Sequence, residues 1–205
     1  MRKLVVTTFT SLDGVMQAPG GPEEDTDGGF GHGGWSFGYW DEMMGRVALE
    51  IHVAAGAVLF GRRSYEILGG YWPKIGDDDP MAAKLNAVPK YVASRSRPEL
   101  TWESSTLLEG DVAEAVARLK EEDGDPVLVI GSSDLIQTLL ERDLVDTFIV
   151  WTFPVVVGEG KRLFGAGAMP AGLRLTDTQT STTGVTIATY ERDGEIKGGS
   201  FALEE

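Results

Sequence analysis

The sequence predicts an α/β protein of three layers: helices on both sides of a central mixed sheet of about eight strands, closed by a C-terminal antiparallel hairpin. Three observations predict it. The run Val127-Leu128-Val129-Ile130 is continuously apolar, as in a strand buried on both faces. An amphipathic segment with Leu135, Ile136, Leu139 and Leu140 on one side follows it, and a second apolar strand, Thr147 to Pro154, comes next. Finally, Leu173 to Thr182 and Val185 to Arg192 flank Thr183-Gly184 and read as the hairpin.

The remaining elements follow in chain order. Lys3 to Phe9 is rich in β-branched residues and reads as the first strand. Pro19 to Gly38 reads as a long loop bearing Glu23, Glu24, Asp25, Asp27 and several glycines, a length that fits a functional lid or a partly ordered insertion. From Trp40 to Ala55 the helical spacing places Met44, Val47, Ile51, Ala54 and Ala55 on one side. Ala57 to Phe60 is the second strand, and Ser64 to Leu68 opens a short helix. Tyr71 to Asp79 reads as loop, with Asp77, Asp78 and Asp79 solvated. Lys90 to Ser94 is the third strand and Trp102 to Leu107 an edge strand. Asp111 to Glu122 is a capped helix with Ala113, Val116, Ala117 and Leu119 facing inward. No repeat or linker is visible, so residues 1–205 are expected to form one domain.

Composition narrows the function classes. The chain has no cysteine, which removes disulfides, thiolate catalysis and thiolate metal sites. Its formal charge of −14 argues against nucleic-acid binding, while a few arginines in one cleft still suffice for a small anion. No run approaches the roughly eighteen apolar residues of a membrane span. The apolar stretch after Met1-Arg2-Lys3 is too short for a signal peptide, so a cytoplasmic protein is expected.

Between the run ending at Ile130 and the following helix stands Gly131-Ser132-Ser133, a tight turn whose backbone N–H groups can face an anion. After the next strand comes the glycine-bounded loop Val157-Gly158-Glu159-Gly160-Lys161, ahead of Leu163-Phe164. Ser11-Leu12-Asp13-Gly14 closes the first strand, and Gly61-Arg62-Arg63-Ser64-Tyr65-Glu66 follows the second. In this order the motifs resemble the reductase domain of the bifunctional riboflavin-biosynthesis protein (the RibD C-terminal domain family), which has the dihydrofolate reductase-like fold. The resemblance spans nearly the whole chain. It implies an NADPH-dependent reductase that transfers a hydride to a small heterocyclic substrate, and homodimers paired through the final strands. The reference reaction reduces the ribosyl group of 5-amino-6-(5-phosphoribosylamino)uracil. The companion deaminase's zinc motif is not in this chain, which has neither Cys-x-x-Cys nor His-x-Glu.

The site residues follow from both readings. Gly61, Arg62, Arg63 and Ser64 offer amides and guanidinium groups beside a helix start, suited to phosphate. The resemblance places this turn against the dinucleotide. Ser94 and Arg95, at the end of the third strand, suit the 2′-phosphate that distinguishes NADPH from NADH. Gly131, Ser132, Ser133 and Leu135 surround the pyrophosphate turn, where Ser132 replaces the family's second glycine; Ser133 or Asp134 also suits capping of the helix. Asp13, beside the flexible Gly14, is the leading catalytic and substrate-binding candidate, able to hold an amino or amide edge or pass a proton through water. Alternatively it caps its own turn. Trp35, Trp40 and Asp41 are candidate substrate contacts. The Trp35-to-Asp41 spacing is one residue longer than in dihydrofolate reductases, and Asp41 also suits a helix first turn.

Other motif matches fail on context. Gly29-Phe30-Gly31-His32-Gly33-Gly34 follows an acidic run rather than a strand, so it is not a dinucleotide fingerprint. His32 and His52 have no ligand partners at metal spacing, and no metal site is expected. Dihydrofolate or pterin reduction, and nucleotide binding without turnover, stand as alternatives on the same scaffold.

Overall fold

The computed structural model describes residues 1–76, 78–165 and 168–201; Asp77, read above as solvated, lies outside them. Among the described residues eight strands form a single sheet: β1 (Leu4–Ser11), β2 (Ala57–Gly61), β3 (Lys90–Ala93), β4 (Ser105–Leu107), β5 (Val127–Ile130), β6 (Thr147–Phe153), β7 (Leu173–Thr180) and β8 (Thr186–Arg192). Their order is β4-β3-β2-β5-β1-β6-β8-β7. The first six are mutually parallel, whereas β8 runs antiparallel to β6 and β7 to β8.

Five helices cover the faces: α1 (Glu42–Val53), α2 (Arg62–Gly69), α3 (Pro80–Ala87), α4 (Val112–Glu121) and α5 (Ser133–Glu141). Alternation along β2 sorts them into layers. Leu59 joins Val116, Leu135, Ile136 and Leu139 of α4 and α5 in one cluster. Its neighbours Val58 and Phe60 point the opposite way, toward Tyr65 of α2 and Leu85 of α3. Met44, Val47 and Ala48 of α1 extend that second layer over Trp151, Phe153 and Ile187.

The expected elements are present with boundaries moved by a few residues, and α3 is an addition. Residues 80–87 are helical because Asp79 caps Met81 and Ala82 N–H at 2.9 Å each and Pro80 occupies the first turn. The loop from 19 to 38 is ordered, with short 3₁₀ turns at Asp27–Gly29 and Phe37–Tyr39.

Lys90 is fully buried at the α3–β3–β4 end of the sheet. Its Nζ donates to the carbonyls of Asn86 (2.8 Å), Val88 (2.8 Å) and Glu103 (3.0 Å) and lies 4.8 Å from the Trp102 ring centre. Burial pushes its pKa down to about 8 against the pull of Glu103.

Candidate functional site

Parallel strands bring their carboxyl ends to one rim, and there the motifs read from the sequence collect. Strands β2 and β5 are neighbours, so the turn Gly61–Ser64 stands beside the turn Gly131–Ser133. Ser132 joins them. Its Oγ accepts from Gly61 N–H at 2.9 Å and donates to the Ile130 carbonyl at 2.9 Å, while its N–H donates to Ser64 Oγ at 3.0 Å. Gly131 and Ser132 are both left-handed, with φ of +55° and +66°. Glycine suits 131, where the left-handed backbone strains any side chain and a Cβ would come within 3.2 Å of Ser64 Oγ.

Neither helix start is closed by a capping side chain. In α5 the Ile136 N–H bonds back to Ser132 O at 2.9 Å, so the amides of Ser133, Asp134 and Leu135 have no helical acceptor. Leu135 offers only that amide, because its side chain is buried among core residues. Such a pair of open helix starts, side by side, fits the phosphates of a dinucleotide.

The arginines divide. Arg62 pairs with Glu66 at 3.0 Å, and Arg63 pairs with Asp25 on the 19–38 loop. Beyond the end of β3, Ser94 Oγ accepts from Ser96 N–H at 3.1 Å, shaping a polar turn. Arg95 is exposed and among the described residues forms no ion pair, which leaves it available to an anion.

Asp13 is already committed. Its carboxylate accepts from Ser11 Oγ (2.6 Å), Val157 N–H (3.1 Å) and Gly158 N–H (2.9 Å), with Arg162 Nη2 at 3.5 Å. The Ser11 hydroxyl first, and then the Val157 amide, hold it well below the usual carboxylate range. It therefore stays ionised and fastens the β6–β7 loop to the end of β1. Gly14, at φ +85°, makes the turn that allows this.

Asp41 is likewise occupied. It caps α1 through Met44 N–H at 2.9 Å and accepts from Thr182 N–H (2.8 Å) and Oγ1 (2.7 Å) in the β7–β8 turn. These bonds, the Met44 amide foremost, lower its pKa. Trp35 donates its indole N–H to Gln17 O at 2.8 Å and packs edge-on against Phe153. Trp40 is half exposed and lies parallel to buried Trp151, with ring centres 6.1 Å apart. Of the aromatic pair, Trp40 has ring surface to offer a ligand.

Two features went unread in the sequence. β1 pairs with β5 only as far as Thr7–Ile130 and then runs on to Ser11 with a neighbour on the β6 side alone. Past Thr7 the stretch Thr8–Thr10 has no strand partner on the β5 side, beside the Gly131–Ser133 turn, whereas the backbone of Ser11 is taken by Val15 O (2.8 Å) and Gly14 N–H (2.9 Å); its signal is the difference in length between the two apolar runs. The second is Gln17, buried, whose Nε2 donates to the Asp25 (3.1 Å) and Asp27 (2.9 Å) carbonyls while its Oε1 accepts from Lys161 N–H (3.0 Å). A glutamine in the apolar run 15–18 was its only sign. Among the described residues no His/Asp/Glu cluster could hold a metal ion, and no helix is long and apolar enough to cross a membrane.

The sequence pattern of the RibD C-terminal domain matches residues 2–189. The uncharacterised protein YyaP of Bacillus subtilis is 27% identical over 202 residues, covering 94% of this chain and 96% of its own. Among solved structures, a putative riboflavin biosynthesis protein from Shewanella superposes with a TM-score of 0.69 at 22% identity, over 93% of this chain and 99% of that one. A dihydrofolate reductase from Enterococcus faecalis, in complex with NADP(H), gives a TM-score of 0.58 at 16% identity, over 93% and 96% of the two chains. The fold is the dihydrofolate reductase-like one.

Proposed function

This chain belongs to the RibD C-terminal domain family, and from that premise we propose that it is an NADPH-dependent reductase acting on a small heterocyclic substrate. The observation that carries the reading is the stapled pair of open helix starts at the rim of β2 and β5. The cofactor's pyrophosphate is assigned to the amides of Ser133, Asp134 and Leu135 together with the Gly61–Ser64 turn. Its 2′-phosphate is assigned to Ser94 and Arg95, and its nicotinamide to the edge of β1 left without a β5 partner at Thr8–Thr10.

NADPH supplies the hydride when bound. The chain supplies the positioning. Trp40 gives the substrate ring a face, with Trp35 behind it against Phe153. The group reduced would be a C=N or C=O bond held against that face. Asp13, held ionised, is not a proton donor to it and acts by fixing the Val157–Gly158 loop. A pterin reductase would need a carboxylate free for the ring, and the commitment of Asp41 to Met44 and Thr182 counts against that alternative.

The test is a titration with NADPH and with NADH followed by nicotinamide fluorescence. NADPH should bind in preference to NADH, and Arg95→Ala should abolish the preference without abolishing binding. Failure of both nucleotides to bind would overturn the proposal.

A further inference from the structure

The acidic loop from 19 to 38 does not hang free. Glu24 accepts from the amides of Gly20 (2.6 Å) and Gly21 (3.1 Å), Ser36 Oγ donates to Pro19 O (2.7 Å), and Gln17 holds the carbonyls of Asp25 and Asp27. This strap delivers one carboxylate to the rim. Asp25 sets Oδ1 against Arg63 Nη1 and Oδ2 against Lys161 Nζ, the latter at 3.0 Å. Its side chain is only 12% exposed, against 47% for Arg63 and 24% for Lys161.

The two cations come from different places. Arg63 belongs to the first turn of α2, whereas Lys161 lies on the β6–β7 loop, within the field of Asp134 in the first turn of α5. Asp27 approaches Lys161 as well, at 3.0 Å, but is itself largely exposed. An anion with one oxygen on each of two cations, one of them in the first turn of α2, reproduces the demands of a bridging phosphate.

We propose that Arg63 and Lys161 form a two-cation seat for a diphosphate, and that Asp25 is the chain's own anion in that seat, to be displaced when a diphosphate binds. The proposal rests on the reductase reading above and adds Lys161 to its cofactor residues. A diphosphate offers more charge and more acceptor oxygens than one carboxylate, so the exchange favours it over singly charged anions. Displacing Asp25 removes the strap's ion pairs to Arg63 and Lys161 and leaves Gln17 and the Asp27–Lys161 pair to hold its tip, which couples cofactor binding to loosening of the strap.

Inorganic pyrophosphate and NADPH are the probes, used on the full chain. Saturating pyrophosphate should increase proteolytic cleavage within residues 19–38 of the wild-type protein. Asp25→Asn should tighten NADPH binding by about tenfold, the scale of one charge-assisted contact. Lys161→Gln should weaken it and cancel the gain in the double variant. The seat is refuted if Asp25→Asn weakens binding or leaves it unchanged, or if pyrophosphate leaves the strap as protected as before. The wild-type cleavage experiment decides the matter even where a variant fails to fold. Strap release by pyrophosphate without any NADPH binding would keep the seat and discard the reductase.

Discussion

Replacing Ser132 separates its two burdens, since it is both a staple and a residue in the left-handed region. Ser132→Ala removes the acceptor for Gly61 N–H and the donor to Ile130 O, but keeps a Cβ at φ +66°. A half-buried amide left without a partner costs about 1–3 kcal/mol, and the lost hydroxyl donation adds about 0.5–1.5 kcal/mol. A loss near 2–3 kcal/mol is therefore expected. Ser132→Gly breaks the same bonds but relieves left-handed strain of about 1–2 kcal/mol, so its net cost is near 1 kcal/mol. At about 2–4 °C per kcal/mol for a chain of this size, the alanine variant should melt roughly 4–12 °C below wild type. Thermal and urea unfolding of all three proteins would measure the series. Should glycine cost more than alanine, or alanine less than 0.5 kcal/mol, the staple argument fails.

The buried Lys90 should cost about 2–4 kcal/mol when replaced by Met, which strands three carbonyls in the interior. Its folded pKa of about 8 lies below the ordinary 10.5, so the unfolded chain binds more protons between those values and stability should rise with pH across that window. Urea midpoints from pH 7.5 to 10.5 should show the rise in wild type and not in Lys90→Met. Desolvation lowers the pKa of His52, whose Nδ1 lies 2.6 Å from Ala48 O. Its contribution should therefore be lost as pH falls from about 6.5 toward the folded value, and His52→Gln should flatten that part of the stability curve. For Asp13→Asn, turnover should fall while the pH profile of kcat keeps its shape, since the group stays ionised throughout; a limb that disappears in the variant would restore Asp13 as a proton carrier.

Local signals were legible and long-range pairings were not. The β5–α5–β6 segment announced itself through an apolar run, a helical stripe and a second apolar run. The turns after β2 and β5 showed as small residues directly after strands. Helix α3 escaped because it is short and buries only Ala82 and Leu85, although Asp79-Pro80 is a proper start signal. Asp13 read as a catalytic candidate and Asp41 as a substrate contact or a helix first-turn residue, while the partners they take lie far along the chain, Gly158 145 residues from Asp13 and Thr182 141 residues from Asp41. Ser132 stands out in the sequence only as a departure from the family's second glycine. Its hydroxyl turns out to be bonded to Gly61, an arrangement that depends on β2 lying beside β5. Strand order is a tertiary fact, and no local pattern encodes it.

The ammonium of Lys90 also governs how the far end of the sheet comes apart. Its three acceptors sit at the end of α3, just before β3 and just before β4. Opening any one of these segments alone would take an acceptor from the ammonium while the other two still hold it in place. Residues 80–107 should accordingly unfold as one cooperative unit, with amides along α3, β3 and β4 sharing a single opening free energy in hydrogen exchange. One buried cation thereby makes an edge of three short elements behave as a single body.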